Sequence, residues 1–197
     1  KRKEMIQMIK KILVTIILIL SIFILFYNYS NNFKNRINFI KTDLLALSEK
    51  KDYNTSLGAR FAFGIVAKEI TIDSPLFGVG IANHIKKRDL YIKENHLEKD
   101  FRHVSELKHF HNTYLEIYTQ LGLFGLILFA LLISSLFKIK IKNKVIDNLK
   151  ISTIILFLIG GMVDVLFYLN YTISLFTFVI GICLAHYKFE HQVTIEK

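Results

Sequence analysis

The sequence predicts an all-α integral membrane protein of about four transmembrane helices with a large helical outer loop, and three observations carry that reading. Of 197 residues 52% are hydrophobic and 21% are charged, and the two kinds are segregated along the chain rather than mixed. Four apolar stretches, 12–29, 114–137, 151–168 and 171–187, approach the length that a helix needs to cross a bilayer core; about 20 residues span roughly 30 Å of hydrocarbon. Lysine and arginine crowd beside some of these stretches and are missing beside others.

The elements follow in order. Residues 1–29 join a basic flank, KRKEMIQMIKK, to the first span, which has no small-residue cleavage site and is read as an anchor rather than a removed signal peptide. The flank carries five Lys and Arg, the 138–150 loop KIKIKNKVIDNLK carries another five, and the 169–174 turn carries none. By the positive-inside rule both chain ends, including the 188–197 tail, are expected in the cytoplasm, and the 30–112 segment in the periplasm or its equivalent. The 113–137 helix is the second span. Residues 151–187 could be one broken helix, but 37 residues overshoot any bilayer unless the chain turns near Leu169 and Asn170, so two spans are expected there.

A net charge of +10 invites a nucleic-acid reading, yet ten of the 26 basic residues sit in the two cytoplasmic flanks and the outer segment is nearly balanced. No nucleic acid is expected. The single cysteine, Cys183, lies in the fourth span, reads as a small core residue and excludes an intrachain disulfide. No internal repeat or low-complexity tract is visible.

Within the outer segment, Phe33, Ile37, Ile40, Leu44 and Leu47 recur at helical spacing between Lys34, Arg36, Lys41 and Asp43. That is an amphipathic helix over 33–47, suited to the membrane face or to packing on the bundle. Thr55 or Ser56 can cap a second helix that runs to about Ile70 and must end before Pro75, the only proline. PLFGVG then reads as a turn that Gly78 and Gly80 make feasible. GVGIAN is no dinucleotide fingerprint, because its third glycine is replaced by Asn83 and no parallel strand precedes it. Leu97, Phe101, Val104 and Leu107 suggest a short surface helix within the charged 84–110 stretch.

Arg60 falls, on this reading, in the first turn of the second helix, where the macrodipole disfavours a cation unless an anion comes between. Two roles are open to it: a phosphate ligand at a helix N-terminus, or a surface cation that faces water or pairs with Asp52. Five of the seven histidines, His84, His96, His103, His109 and His111, belong to the outer segment. The pair His109-x-His111 could serve a metal in a strand, but a helix is expected to start there and no HExxH is present, so no metal is expected.

Thr113, Tyr114, Leu115 and Glu116 fit a capping box, with Thr113 capping and Glu116 reaching back to its N–H. His111 is left two residues outside the helix at the water boundary, either as a snorkelling polar side chain or as a base whose ordinary pKa of about 6.5 suits proton transfer. Gly122 and Gly125 let neighbouring helices approach closely, and packing explains them. Beyond Glu116 at the opening of the second span, Asp164 is the only acid inside a span; it either faces the same outer cavity as His111 or pairs with a helix neighbour.

The arginine that opens a helix, then PLFGVG, then HNTYLEIYTQLGLFGLILF leading into a span, resembles the carboxyl-terminal region of the O-antigen ligase and O-antigen polymerase superfamily over about residues 55–135. The match departs from the family in two ways. An aromatic, usually tryptophan, is expected soon after the arginine; this chain has no Trp, and Phe61 or Phe63 stands in. Family members also have more spans and a further diphosphate-holding arginine upstream, so the chain is expected to be the carboxyl-terminal portion of a larger enzyme of glycosyltransferase class C-like architecture, or a truncated one.

The resemblance implies transfer of a glycan from an undecaprenyl diphosphate carrier to a lipid A core acceptor at the periplasmic face of the bacterial inner membrane, in lipopolysaccharide biosynthesis, with no cofactor and no metal. It implies His111 as the catalytic residue and Arg60 and Asn112 as substrate-binding residues. Asp164 and His109 stand as secondary candidates. A polymerase acting on a growing glycan and a protein O-oligosaccharyltransferase are the alternatives within the class; a non-catalytic membrane subunit or transporter fragment is the alternative outside it.

Overall fold

The computed structural model describes residues 2–195, so the first residue of the 1–29 segment and the last two of the 188–197 tail lie outside the described residues. Eight helices are found among the described residues: α1 (Arg2–Tyr29), α2 (Asn31–Lys50), α3 (Ser56–Thr71), α4 (His84–Glu94), α5 (Arg102–Glu106), α6 (Thr113–Lys138), α7 (Lys144–Gly160) and α8 (Asn170–Ile195). No strand accompanies them among those residues, and the all-α class stands. By length and composition Thr113–Lys138 and Asn170–Gln192 suffice to cross a membrane, while Leu13–Tyr29 and Asn31–Lys50, bent by 99°, pass the same test only as a pair.

The chain divides into two compact units, Lys1–Gly58 and Ala59–Lys197. In the first, the apolar residues of α1 from Leu13 to Phe26 are broadly exposed, the state of a helix whose partner is lipid or another helix. Ser30 ends α1 and caps α2, its Oγ accepting the Phe33 N–H at 3.3 Å, and Phe33 sets its ring edge-on to Phe23 at 5.1 Å. The amphipathic helix expected over 33–47 is present within α2, and it buries none of its residues. Lys51 closes it in the left-handed conformation (φ 51). The start of α3 is satisfied locally: Asp43 Oδ2 accepts the Leu57 N–H at 3.1 Å and Thr55 Oγ1 the Gly58 N–H at 3.0 Å.

In the second unit α3 buries Ala59, Ala62, Phe63, Val66, Ala67 and Ile70, a stripe at spacings of three and four. Ile92, Phe101, Val104 and Phe110 are buried in the segment that follows. Arg88 of α4, only 2% exposed, donates to the Leu107 carbonyl and ties down the stretch that leads to α6. A separate core joins the last three helices through Ile133, Leu136, Ile154, Phe157, Phe176 and Ile180, and Cys183 is buried, as a small core residue should be.

Two departures from the sequence-based picture shape this unit. The stretch expected as a third span over 151–168 is helical only to Gly160. The Gly160-Gly161 pair ends α7, and the carbonyls of Gly161 and Asp164 turn to accept the Thr113 N–H at 2.8 and 3.2 Å. The second departure is a break inside α6 at Gly122, whose φ of 65 and ψ of −159 are not helical.

PLFGVG fills that break. Val79 and Gly80 donate to the carbonyls of Thr119 and Gln120 at 2.8 and 3.0 Å, and the N–H groups of Leu123 and Phe124 donate to Pro75 and Leu76, both at 3.0 Å. The four backbone groups that the kink removes from the helical ladder are thus re-paired, as a helix broken away from water requires. The fit is glycine on glycine: a Cβ on Gly78 would stand 2.6 Å from the Gly122 nitrogen, and one on Gly122 2.4 Å from the Leu76 carbonyl carbon. Both residues also hold positive φ. Gly78→Ala and Gly122→Ala should each cost more than about 2 kcal/mol, read as a lower thermal unfolding midpoint in detergent and reduced membrane yield. Gly181→Ala, where an added Cβ meets nothing within 4 Å, should stay within about 1 kcal/mol of the parent.

Candidate functional site

The site is built where the 107–112 loop meets α6. Asn112, not Thr113, is the N-cap: its Oδ1 accepts the N–H groups of Tyr114 and Leu115 at 2.9 and 3.0 Å, and its Nδ2 donates to the Met162 carbonyl at 2.9 Å. The expected capping box is therefore absent. Thr113 Oγ1 donates to the Asp164 carbonyl at 3.0 Å instead, and Glu116 is released from the cap for other partners. The physical reason is the loop after α7, whose carbonyls take the hydroxyl and N–H that a Thr113 cap would have kept.

Glu116 lies 3% exposed at the centre of a buried network. Its Oε1 meets His84 Nε2 at 2.7 Å and accepts from Gln120 Nε2 at 2.7 Å, while its Oε2 accepts the Phe110 N–H at 3.0 Å. His84, also 3% exposed, contacts the Ile81 carbonyl through Nδ1 at 2.8 Å. A carbonyl only accepts, so Nδ1 carries a proton, and a second proton lies between Nε2 and the carboxylate. Charge-assisted bonds of this length, removed from water, hold α4, the loop and α6 in one register.

That register presents His111. Held at φ 47, in the left-handed region that a residue with a side chain occupies at a cost of about 1 kcal/mol or more, it turns back onto its neighbour. The His109 and His111 rings are 4.1 Å apart, and the buried Phe63 ring is 6.0 Å from His111. His111 Nδ1 faces Asp164 Oδ1 at 3.4 Å. Its Nε2 is the one buried side-chain nitrogen or oxygen without a hydrogen-bond partner among the described residues. Burial, and the His111 ring beside it, hold the His109 imidazole below its ordinary pKa.

The sequence candidates thus divide. His111, His109, Asp164 and the Asn112 cap come together. Asp164, expected inside a span, sits in the turn after α7 with its side chain 41% exposed, its Oδ1 accepting the Val165 N–H at 2.8 Å and standing 3.4 Å from His111 Nδ1. Arg60 lies on the exposed side of α3 in a groove of about 410 Å³ lined by Phe61, Gly64, Ile65 and Lys68, three residues before the Phe63 that touches His111. It is the fifth residue of α3 rather than part of its first turn, and the Leu57 and Gly58 N–H groups are already bonded, so the terminal-amide argument for an anion there lapses. The two aromatic stand-ins also part: Phe61 lines the Arg60 groove and Phe63 packs at His111. The side chain of His103 lies outside the described ones.

His109, His111 and Asp164 can each offer one ligand atom such that all three lie within 4.8 Å of one another. The expectation of no metal rested on the absence of HExxH and on a helix start beside this pair; α6 does start at Thr113, and both histidines lie in the loop before it, with His111 in the left-handed region. Sequence reasoning also missed His84 and Gln120. No local signal marks His84, because its partner is 32 residues away. A small cavity of about 110 Å³ adjoins the network, lined by Thr113, Glu116, Gln120, Leu121, Phe167 and Tyr168 among others.

The all-helical chain thus sets a histidine, a carboxylate and a buried hydrogen-bonded network at the start of α6. A family model described as O-Antigen ligase matches residues 1–130, and the chain belongs to that family of bacterial membrane proteins. A curated protein of Haemophilus influenzae, described only as uncharacterized, is 33% identical over 161 residues, which cover 81% of this chain. The alignment takes in 40% of that protein, so the chain spans well under half of its relative's length. No solved structure matches. Asp164 lies beyond the residues that the family model covers.

His84→Ala and Glu116→Ala should each destabilise the protein by roughly 3–5 kcal/mol, since each leaves a buried charged partner alone. Glu116→Gln should cost less. In a double-mutant cycle measured by thermal unfolding, the His84 and Glu116 losses should fall well short of additivity.

Proposed function

We propose that this chain carries the catalytic region of an O-antigen ligase-type glycan transferase, moving a glycan from undecaprenyl diphosphate to a lipid A core sugar at the periplasmic face of the inner membrane. The observation that carries the reading is His111: a histidine on a strained backbone, with Nδ1 toward Asp164 and Nε2 buried without a partner, beside the start of a span. An unpaired buried polar atom costs about 1–3 kcal/mol, which a hydroxyl donating to it would recover.

In this reading the acceptor hydroxyl donates to His111 Nε2. As its oxygen attacks the anomeric carbon, the proton passes to the imidazole and the bond to the diphosphate oxygen breaks. Asp164 holds Nδ1 and stabilises the imidazolium that forms, a positioning task. Arg60, with Lys68 two turns along the same groove, faces the leaving diphosphate. Asn112, with both ends of its amide engaged, serves by fixing the loop rather than by touching sugar. No step calls for a metal or a nucleotide. The lysine-rich flanks support a periplasmic 30–112 segment, and the exposed apolar face of α2, with Phe39, Ile40, Leu44 and Leu45, suits lipid-borne substrates that approach along the membrane plane.

Cells whose sole copy carries His111→Ala or Arg60→Ala are expected to lose capped lipopolysaccharide, with transfer down about 10²- to 10⁴-fold and the protein level unchanged. Asp164→Asn should reduce transfer less than His111→Ala does. Normal glycan attachment in both His111 and Arg60 variants would end this reading. The gel of a deletion strain separates the branches: free carrier-linked polymer indicates the ligase, and a core bearing a single repeat indicates the polymerase.

A further inference from the structure

We propose that His109, His111 and Asp164 form an inhibitory site for a zinc-class divalent metal ion on the outer face of the protein. The geometry points to it from three sides. Ligand atoms of the three residues gather within 4.8 Å of one another. A tetrahedral zinc ion with bonds of about 2.0–2.1 Å sets its ligand atoms about 3.4 Å apart, and His111 Nδ1 and Asp164 Oδ1 already stand at 3.4 Å. The His109 ring has its centre 4.1 Å from that of His111, and its Nδ1 accepts the His111 N–H at 3.4 Å, so it stands beside the pair as the third ligand.

The donor types choose the metal. Two imidazoles and one carboxylate suit zinc, copper or nickel, whereas magnesium and calcium want oxygen ligands throughout. Three protein ligands, each only partly buried, leave the fourth position to water, the pattern of an exchangeable site rather than a closed structural one. The site is shaped in advance, since His111 is turned by its positive φ and the loop is fixed through the Phe110 N–H to Glu116.

The consequence rests on the proposed role of His111 as base. An imidazole bound to metal through Nδ1 carries its remaining proton on Nε2, so Nε2 becomes a donor and can no longer take a proton from an acceptor hydroxyl. The same ion takes Asp164 from its positioning task. Zinc therefore switches off transfer reversibly without being part of it.

The test uses untagged protein at its natural length in nanodiscs, titrated with zinc chloride and followed by calorimetry, with Co²⁺ as a spectroscopic probe. One zinc per chain is expected, with tetrahedral cobalt bands. His109→Gln and Asp164→Asn should each weaken binding about tenfold or more, and Arg60→Ala should leave it unchanged. Zinc should inhibit glycan transfer in the parent, with reversal by EDTA. Absence of stoichiometric binding, or binding unchanged in both His109→Gln and Asp164→Asn, would overturn the site. The two readings fail separately. Normal transfer in the His111 and Arg60 variants sinks the enzymatic assignment while zinc binding stands, and absent zinc binding with those variants inactive sinks only the metal site.

Discussion

The contact on which the second unit depends is the crossing of two backbones at Gly78 and Gly122. A helix interrupted within an apolar stretch exposes carbonyls and N–H groups that apolar surroundings cannot satisfy. Here the 75–80 segment supplies the missing partners through four hydrogen bonds, and it can come close enough only because neither residue at the crossing has a side chain. The two motifs that looked separate in the sequence, PLFGVG and QLGLFG, are therefore halves of one joint.

Everything at the site follows from the joint's position. Gly80, bonded to Gln120, leads directly into α4, and one turn later His84 meets Glu116. Glu116 spends its other oxygen on the Phe110 N–H, one residue before His111. A chain of strong, dehydrated hydrogen bonds thus runs from the helix break to the strained histidine. From the opposite side the turn after α7 fixes Asn112 and Thr113 and brings Asp164 to His111. A buried carboxylate that could pass for a catalytic acid is better explained as the clamp that keeps the histidine in place.

How much of this was legible in the sequence depended on range. Helices α2, α3, α6 and α8 could be read because apolar periodicity and local caps report on residues three or four apart. His111 and Arg60 stood out through their place in recurring motifs, and Asp164 through the rarity of a carboxylate in an apolar stretch. The break at Gly122 was invisible, because LGLFGLILFALL keeps its hydrophobic pattern through the kink and the hydrogen bonds that sustain it join residues 40 and 48 positions apart. The cap was misplaced by one residue because Asn112 and Thr113 both qualify, and only the distant Asp164 carbonyl decides between them. The third apolar stretch ended early for the same reason: Gly160-Gly161 permits a turn, and the carbonyls it frees are consumed by Thr113.

The central claim is that His111 and Arg60 serve opposite ends of one reaction, the attacking hydroxyl and the departing diphosphate. Its most direct measurement is an experimental structure of the protein at its natural length with a non-transferable undecaprenyl diphosphate sugar. The account predicts the diphosphate within hydrogen-bond reach of the Arg60 guanidinium, and the anomeric carbon on the His111 side with room for one hydroxyl against Nε2. A diphosphate seated away from Arg60, with His111 turned from the sugar, would contradict it.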